Sequence, residues 1–113
     1  MAKPESMEEF FRKSGLLPIP QGDVRRFPRF YFRSVAEATI HPFGKAQEAS
    51  QCFLLTRDLS RNGVSLLHNT QLFPGQRLEL TLNGQEPRLV VVVWCKLQSP
   101  SDYVVGCKFV SRD

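Results

Sequence analysis

The sequence predicts an all-β fold, a six-stranded antiparallel barrel preceded by a short N-terminal helix. Three observations carry this. From Phe30 onward apolar residues recur with a period of two, the repeat of a half-buried strand. The breaks between these runs carry turn chemistry, and the connections are too short to hold helical crossovers, so neighbouring strands must run antiparallel. A sheet this small protects its edges best by closing on itself.

The N-terminal helix is announced by Ser6-Met7-Glu8-Glu9, a capping box in which Ser6 accepts from the Glu9 amide while Glu9 reaches back. Met7, Phe10 and Phe11 share one face at helical spacing and Gly15 is a natural stop, giving a helix of about two turns. Such a helix is not stable alone, so its phenylalanines must dock on the domain or on a partner chain. Leu16 to Pro20 follows as an extended apolar connector, because Pro18 and Pro20 deny continuation of the helix. Residues 1–24 thus read as helix and connector, and residues 25–113 as the barrel domain.

The expected strands are Phe30–His41, Ser50–Arg57, Val64–His68, Gln76–Leu82, Arg88–Leu97 and Tyr103–Val110. The fourth is the clearest, since Leu78, Leu80 and Leu82 alternate with Glu79, Thr81 and Asn83. Turns fall at Phe43-Gly44-Lys45, Arg61-Asn62-Gly63, Pro74-Gly75, Asn83-Gly84 and Ser99-Pro100-Ser101-Asp102. Leu89 to Trp94 is apolar on consecutive residues, so both faces of that strand should be covered, with the N-terminal helix as the available cover. Trp94, Phe30, Phe32 and Phe109 read as core or cover residues.

A chain of 113 residues suits one compact domain with one core. Its formal net charge of +4 favours an anionic partner, and the excess is concentrated: Arg25, Arg26, Arg29, Arg33, Arg57 and Arg61 fall in or beside two short signatures. Cys52, Cys95 and Cys107 are an odd number set in apolar runs, as expected of reduced thiols in a reducing compartment, and the expected location is cytoplasmic. His41 and His68 lack the spacing of metal ligands, so no metal is expected. No cationic leader with an apolar core opens the chain, and no apolar run approaches the roughly 20 residues of a membrane helix, so no membrane insertion is expected.

The two signatures are Arg25-Arg26-Phe27-Pro28-Arg29, just ahead of the first strand, and Asp58-Leu59-Ser60-Arg61-Asn62-Gly63, between the second and third. Guanidinium groups offer forked, always-charged donors for phosphate oxygens or for the O6 and N7 edge of guanine. Asp58 can accept from the guanine N1–H and N2–H groups, Ser60 can donate to a phosphate, and Gly63 permits a turn that most side chains forbid. Together they supply what an anionic, guanine-bearing ligand needs. A pure phosphate or RNA-backbone binder has little use for Asp58 beside its arginines. The bland alternative is that Asp58 and Ser60 only hydrogen-bond the backbone of the turn, and that the arginines form a solvated basic entry segment.

Arg25-x-x-x-Arg29 followed by Asp58-x-Ser60-x-x-Gly63 resembles the two-part signature of PilZ domains, bacterial receptors for cyclic di-GMP. Pro74-Gly75, Trp94 and Gly106-x-x-Phe109 resemble the same family's framework, so the likeness runs from Arg25 to Val110. It implies a six-stranded antiparallel PilZ-type β-barrel that binds the cyclic dinucleotide across its outer surface. Arg25 and Arg29 would fold over the ligand from the segment before the first strand, and Asp58, Ser60 and Gly63 would form the fixed half of the site. Arg26, and Arg61 on the turn, would add cations that can stack on a base. Many such domains continue into a C-terminal helix where this sequence has only three residues after Val110. Either the N-terminal helix takes that role, or an apolar patch is left that drives self-association into a homodimer.

The function expected is that of a cyclic di-GMP receptor or adaptor that changes conformation on binding and signals to a protein partner, the downstream protein being unidentified. Catalysis is not expected, because nothing places His41 or His68 beside Ser60 and no nucleophile elbow surrounds it. Two alternatives stand beside it: a small β-barrel that binds single-stranded nucleic acid through aromatic platforms and arginines, and a PilZ-like protein–protein adaptor that binds no nucleotide. Intact motifs weigh against the second, and the placement of Asp58 weighs against nucleic acid.

Overall fold

The computed structural model describes residues 6–18, 28–43 and 48–110. They form one short helix, α1 (Met7–Arg12), and six strands, β1 (Phe30–His41), β2 (Ser50–Leu59), β3 (Gly63–His68), β4 (Arg77–Thr81), β5 (Arg88–Ser99) and β6 (Asp102–Phe109). The strands close into an antiparallel barrel in the order β1-β2-β3-β6-β5-β4, with β4 pairing back on β1. All six expected strands are present, β1 with the expected bounds.

Alternation builds the interior. Ala36, Ala38 and Ile40 of β1, Leu54 of β2, Val64 and Leu66 of β3, Leu78 and Leu80 of β4, and Val90 and Val92 of β5 point into one apolar core. Val105 and Cys107 complete it from β6. Buried Thr56 is the polar exception, and it is satisfied: its hydroxyl donates to the Phe32 carbonyl and accepts from the Ser34 amide at 3.0 Å, where the β1–β2 register shifts. The tightest connections are chemically simple. Asn83 and Gly84, at φ 51° and 71°, make the left-handed pair of a type I′ turn between β4 and β5.

Ser6 caps α1 as expected, its hydroxyl accepting from the Glu9 amide at 3.1 Å. The helix does not cover β5, however. It packs on β1, where buried Phe10 lies under the Arg33 guanidinium, 4.3 Å from the ring centroid. Phe11 stays exposed and touches Phe10 edge-on, so one of the two phenylalanines docks rather than both. Among the described residues Val93 of β5 is left 50% exposed. Phe30 is likewise exposed rather than core: it opens β1 opposite Leu59 of β2, and its other side pairs with Leu16 in an isolated antiparallel bridge. The expected turn at Phe43-Gly44-Lys45 and the connector up to Pro20 extend outside the described residues.

Candidate functional site

Two register shifts turn side chains outward on neighbouring parts of the barrel wall. In β2, Thr56 lies opposite Leu66, and the next paired residue, Asp58, lies opposite Ser65. Strict alternation would send Asp58 inward after Leu54 and Thr56; the extra residue, Arg57, sends it to the outer face. In β5, Val92 lies opposite Cys107 in the core, and Trp94 lies opposite Gly106, with Val93 as the extra residue. A bulge re-aims the side chain that follows it. Asp58 and Trp94 therefore meet on one outer surface, across β3 and β6.

Between them is a pocket of about 220 Å³ lined by Arg29, Asp58, Ser60, Gly63, Ser65 and Trp94, together with Asn62, Val64, Val93, Gly106, Cys107 and Lys108. Its polar groups are held in place. The Ser65 hydroxyl donates to Asp58 Oδ2 at 2.8 Å, and both residues are buried. The Ser60 Oγ accepts from the Gly63 amide at 3.2 Å while the Ser60 amide donates to the Gly63 carbonyl at 2.8 Å, which closes the β2–β3 turn. The Asn62 carbonyl accepts from the Phe109 amide at 2.8 Å and ties that turn to β6. The Ser60 hydroxyl also donates to the Gly63 carbonyl, but at 3.5 Å that bond is long, and a better-placed acceptor can take the proton.

Gly63 is needed for a reason other than the one the sequence suggested. Its backbone does not sit in the left-handed region. An added Cβ would instead collide with the Cys107 carbonyl oxygen on β6, so a close strand approach, and not a turn torsion, excludes a side chain. At Gly106 an added Cβ would meet a side chain instead of backbone, the Trp94 indole, which lies directly over it. The indole is thereby laid against the sheet beside Ser65, with the Lys96 ammonium 5.5 Å from its centroid. Cys107 in the pocket wall is no nucleophile, since burial and nearby Cys95 push its thiol up to about 12.

Arg29 reaches the pocket from just ahead of β1. Its carbonyl accepts from the Leu17 amide at 2.9 Å, and the Gly15 carbonyl accepts from the Tyr31 amide at 2.7 Å, so the segment after α1 is bonded to the residues flanking the site. Arg25 and Arg26 lie outside the described residues. Arg61 is exposed on the turn and does not line the pocket. Arg33 serves structure: its Nε donates to the Arg57 carbonyl at 2.9 Å and its guanidinium covers Phe10 and Tyr31. No group of three or more His, Cys, Asp or Glu side chains able to hold a metal occurs among the described residues. No helix among them is long and apolar enough to cross a membrane.

Four of the six residues singled out in the sequence thus share one pocket. Trp94, Ser65 and Lys108 also belong to it and were missed. The unbroken apolar run from Leu89 to Trp94 makes Trp94 read as a core or cover residue, and the register shift at Val93 that turns it to the pocket is not visible in that run.

A model of the PilZ domain matches residues 23–113. Among solved structures, the chain is similar to one described as the MrkH–c-di-GMP complex of K. pneumonia, with a TM-score of 0.61 and 23% sequence identity. The superposition covers 80% of this chain and 45% of the other, so this chain spans less than half of that one. The search of curated proteins gave no match.

Proposed function

The chain belongs to the PilZ domain family, and on that footing we propose that it is a receptor for cyclic di-GMP without catalysis of its own. One observation carries the reading: Arg29 from one signature and Asp58, Ser60 and Gly63 from the other, far apart in sequence, line a single pocket. The complex of MrkH with c-di-GMP, similar in fold, supports the choice of ligand.

The chemistry divides among the residues. Asp58 takes the N1–H and N2–H donors of a guanine, Arg29 and the Ser60 proton take phosphate oxygens, and the Trp94 indole offers a flat face for the base. Lys108 adds a second cation at the rim. Arg25 and Arg26 contribute further cations to the phosphates. The pocket is smaller than the roughly 300–1,000 Å³ usual for whole small-molecule ligands. One base enters it, and the rest of the dinucleotide lies across the outer wall. Residues 1–24 act as a lead-in to the 25–113 barrel, and α1, strapped beside the site by the Leu17–Arg29 and Gly15–Tyr31 bonds, is the element through which binding alters the surface shown to a downstream protein. The free thiols suit a cytoplasmic receptor.

Titration calorimetry with cyclic di-GMP, GTP and a short single-stranded RNA tests this. Saturable heat is expected with the cyclic dinucleotide, and its absence at tens of micromolar protein overturns the receptor reading. Heat with RNA that falls steeply with salt instead supports a nucleic-acid binder. Arg25→Ala and Arg29→Ala are each expected to abolish binding while leaving the melting temperature nearly unchanged; unfolding of either variant makes that arginine structural.

A further inference from the structure

Resting on the reading of Asp58 as the acceptor for a guanine edge, we infer that Ser65 is the positioning residue that sets the selectivity of this pocket for guanine. Ser65 lies in β3 at the one place where it faces both halves of the site: opposite Asp58 in the β2–β3 ladder and opposite Gly106, under the Trp94 indole, in the β3–β6 ladder. It is 5% exposed and Asp58 8%, yet both line the pocket. A serine hydroxyl buried on the outer face of a barrel wall needs a partner, and its partner is Asp58 Oδ2 at 2.8 Å.

The consequence follows from the carboxylate's inventory. An ionised Asp is acceptor-only, with two oxygens and about four lone-pair sites. Ser65 occupies one site on Oδ2 and thereby fixes the rotation of the carboxylate plane, which is otherwise a broad torsion. Oδ1 and the remaining site on Oδ2 are then presented side by side. Guanine offers two parallel donors, N1–H and N2–H, and only a carboxylate held in their plane meets both at once. One that rotates freely meets one well and the other poorly. Ser65 therefore contributes most to the contact with the N2 amine, the group that distinguishes guanine from hypoxanthine. It never needs to touch the ligand.

The test compares cyclic di-GMP with cyclic di-IMP, which lacks the N2 amine, by calorimetry on the full chain. The ratio of the two dissociation constants is the readout, because a merely structural role for Ser65 weakens both ligands alike. The intact protein is expected to prefer cyclic di-GMP by about tenfold or more, the range of a hydrogen bond to a charged group. Ser65→Ala is expected to weaken cyclic di-GMP by about tenfold while barely changing cyclic di-IMP, so that the ratio collapses. Ser65→Thr, which keeps the hydroxyl, restores it. Ser65→Cys, nearly isosteric and a weak donor, takes the place of Ser65→Ala should that variant not fold, and is expected to lie between the two. A Ser65→Ala protein with an unchanged ratio, whether by retaining both affinities or by losing them equally, overturns the assignment, as does a collapsed ratio in Ser65→Thr. Failure of the intact protein to bind cyclic di-GMP is a different result, seen before any variant is made, and it removes the receptor reading itself.

Discussion

β4 and β5 are neighbours in the barrel, both built from branched apolar residues, and they do different work. In β4, Leu78 and Leu80 are fully buried and alternate with exposed Arg77 and Glu79, without interruption. In β5 the same alternation runs through Val90 and Val92, then breaks at Val93, and Trp94 emerges on the outer wall. β2 repeats the device, with Arg57 as the interruption and Asp58 as the residue turned out. Period two assembles the core, and its interruptions build the pocket.

The largest expected effect falls on the uninterrupted strand. Leu80→Ala deletes a side chain with no exposure and should cost about 2–5 kcal/mol of stability, read from the urea midpoint. Far below the transition, the affinity of the folded protein for cyclic di-GMP should be unchanged. A large loss of affinity with intact folding would mean that core and pocket are not separable in the way the two strands suggest.

Next come the two close-packed glycines. Gly63→Ala sets a methyl against the Cys107 carbonyl, a backbone group that cannot move without disturbing the β3–β6 ladder, so a cost of about 1–3 kcal/mol and loss of binding are expected together. Gly106→Ala meets the Trp94 ring, a side chain that can swing away. It should cost less stability than Gly63→Ala yet still weaken binding. Trp94 is the single tryptophan of the chain, so its emission reports the displacement directly. Equal destabilisation by the two alanines would show that the indole is as fixed as the backbone.

These contrasts explain what could be read in the sequence. The strands were legible because alternation is a local pattern, and Leu78, Leu80 and Leu82 state it without ambiguity. Arg29, Asp58, Ser60 and Gly63 were legible because their chemistry and spacing are unusual together. Ser65 and Trp94 were not, since each depends on which residue stands opposite it, and a bulge changes that by one position without altering composition. The role of Gly63 was misread for the same reason: the atom that excludes its side chain belongs to a strand more than 40 residues away. The docking of α1 was misplaced because an apolar run in β5 advertised a need for cover, whereas Arg33, a charged residue, supplies the surface on which Phe10 packs.

The smallest effect concerns that helix. Ser6→Ala removes the N-cap and should cost the helix about 1 kcal/mol, with little change in the global midpoint, because α1 is six residues long and held mainly through Phe10. Faster hydrogen exchange at the Phe10 amide, bonded at 2.8 Å to the Ser6 carbonyl, is the direct measure. Ligand affinity separates two accounts of the lead-in. The bonds between Leu17 and Arg29 and between Gly15 and Tyr31 are made by the connector backbone and not by the helix. If those bonds alone align Arg29, loosening α1 leaves the affinity for cyclic di-GMP within about twofold, well under 1 kcal/mol. A larger change requires a second route, and the side chain placed to provide it is Arg33, whose guanidinium lies over Phe10 and donates through Nε to the carbonyl of Arg57, the residue before Asp58. By linkage, a ligand that reads the state of α1 through Arg33 must also shift that state when it binds.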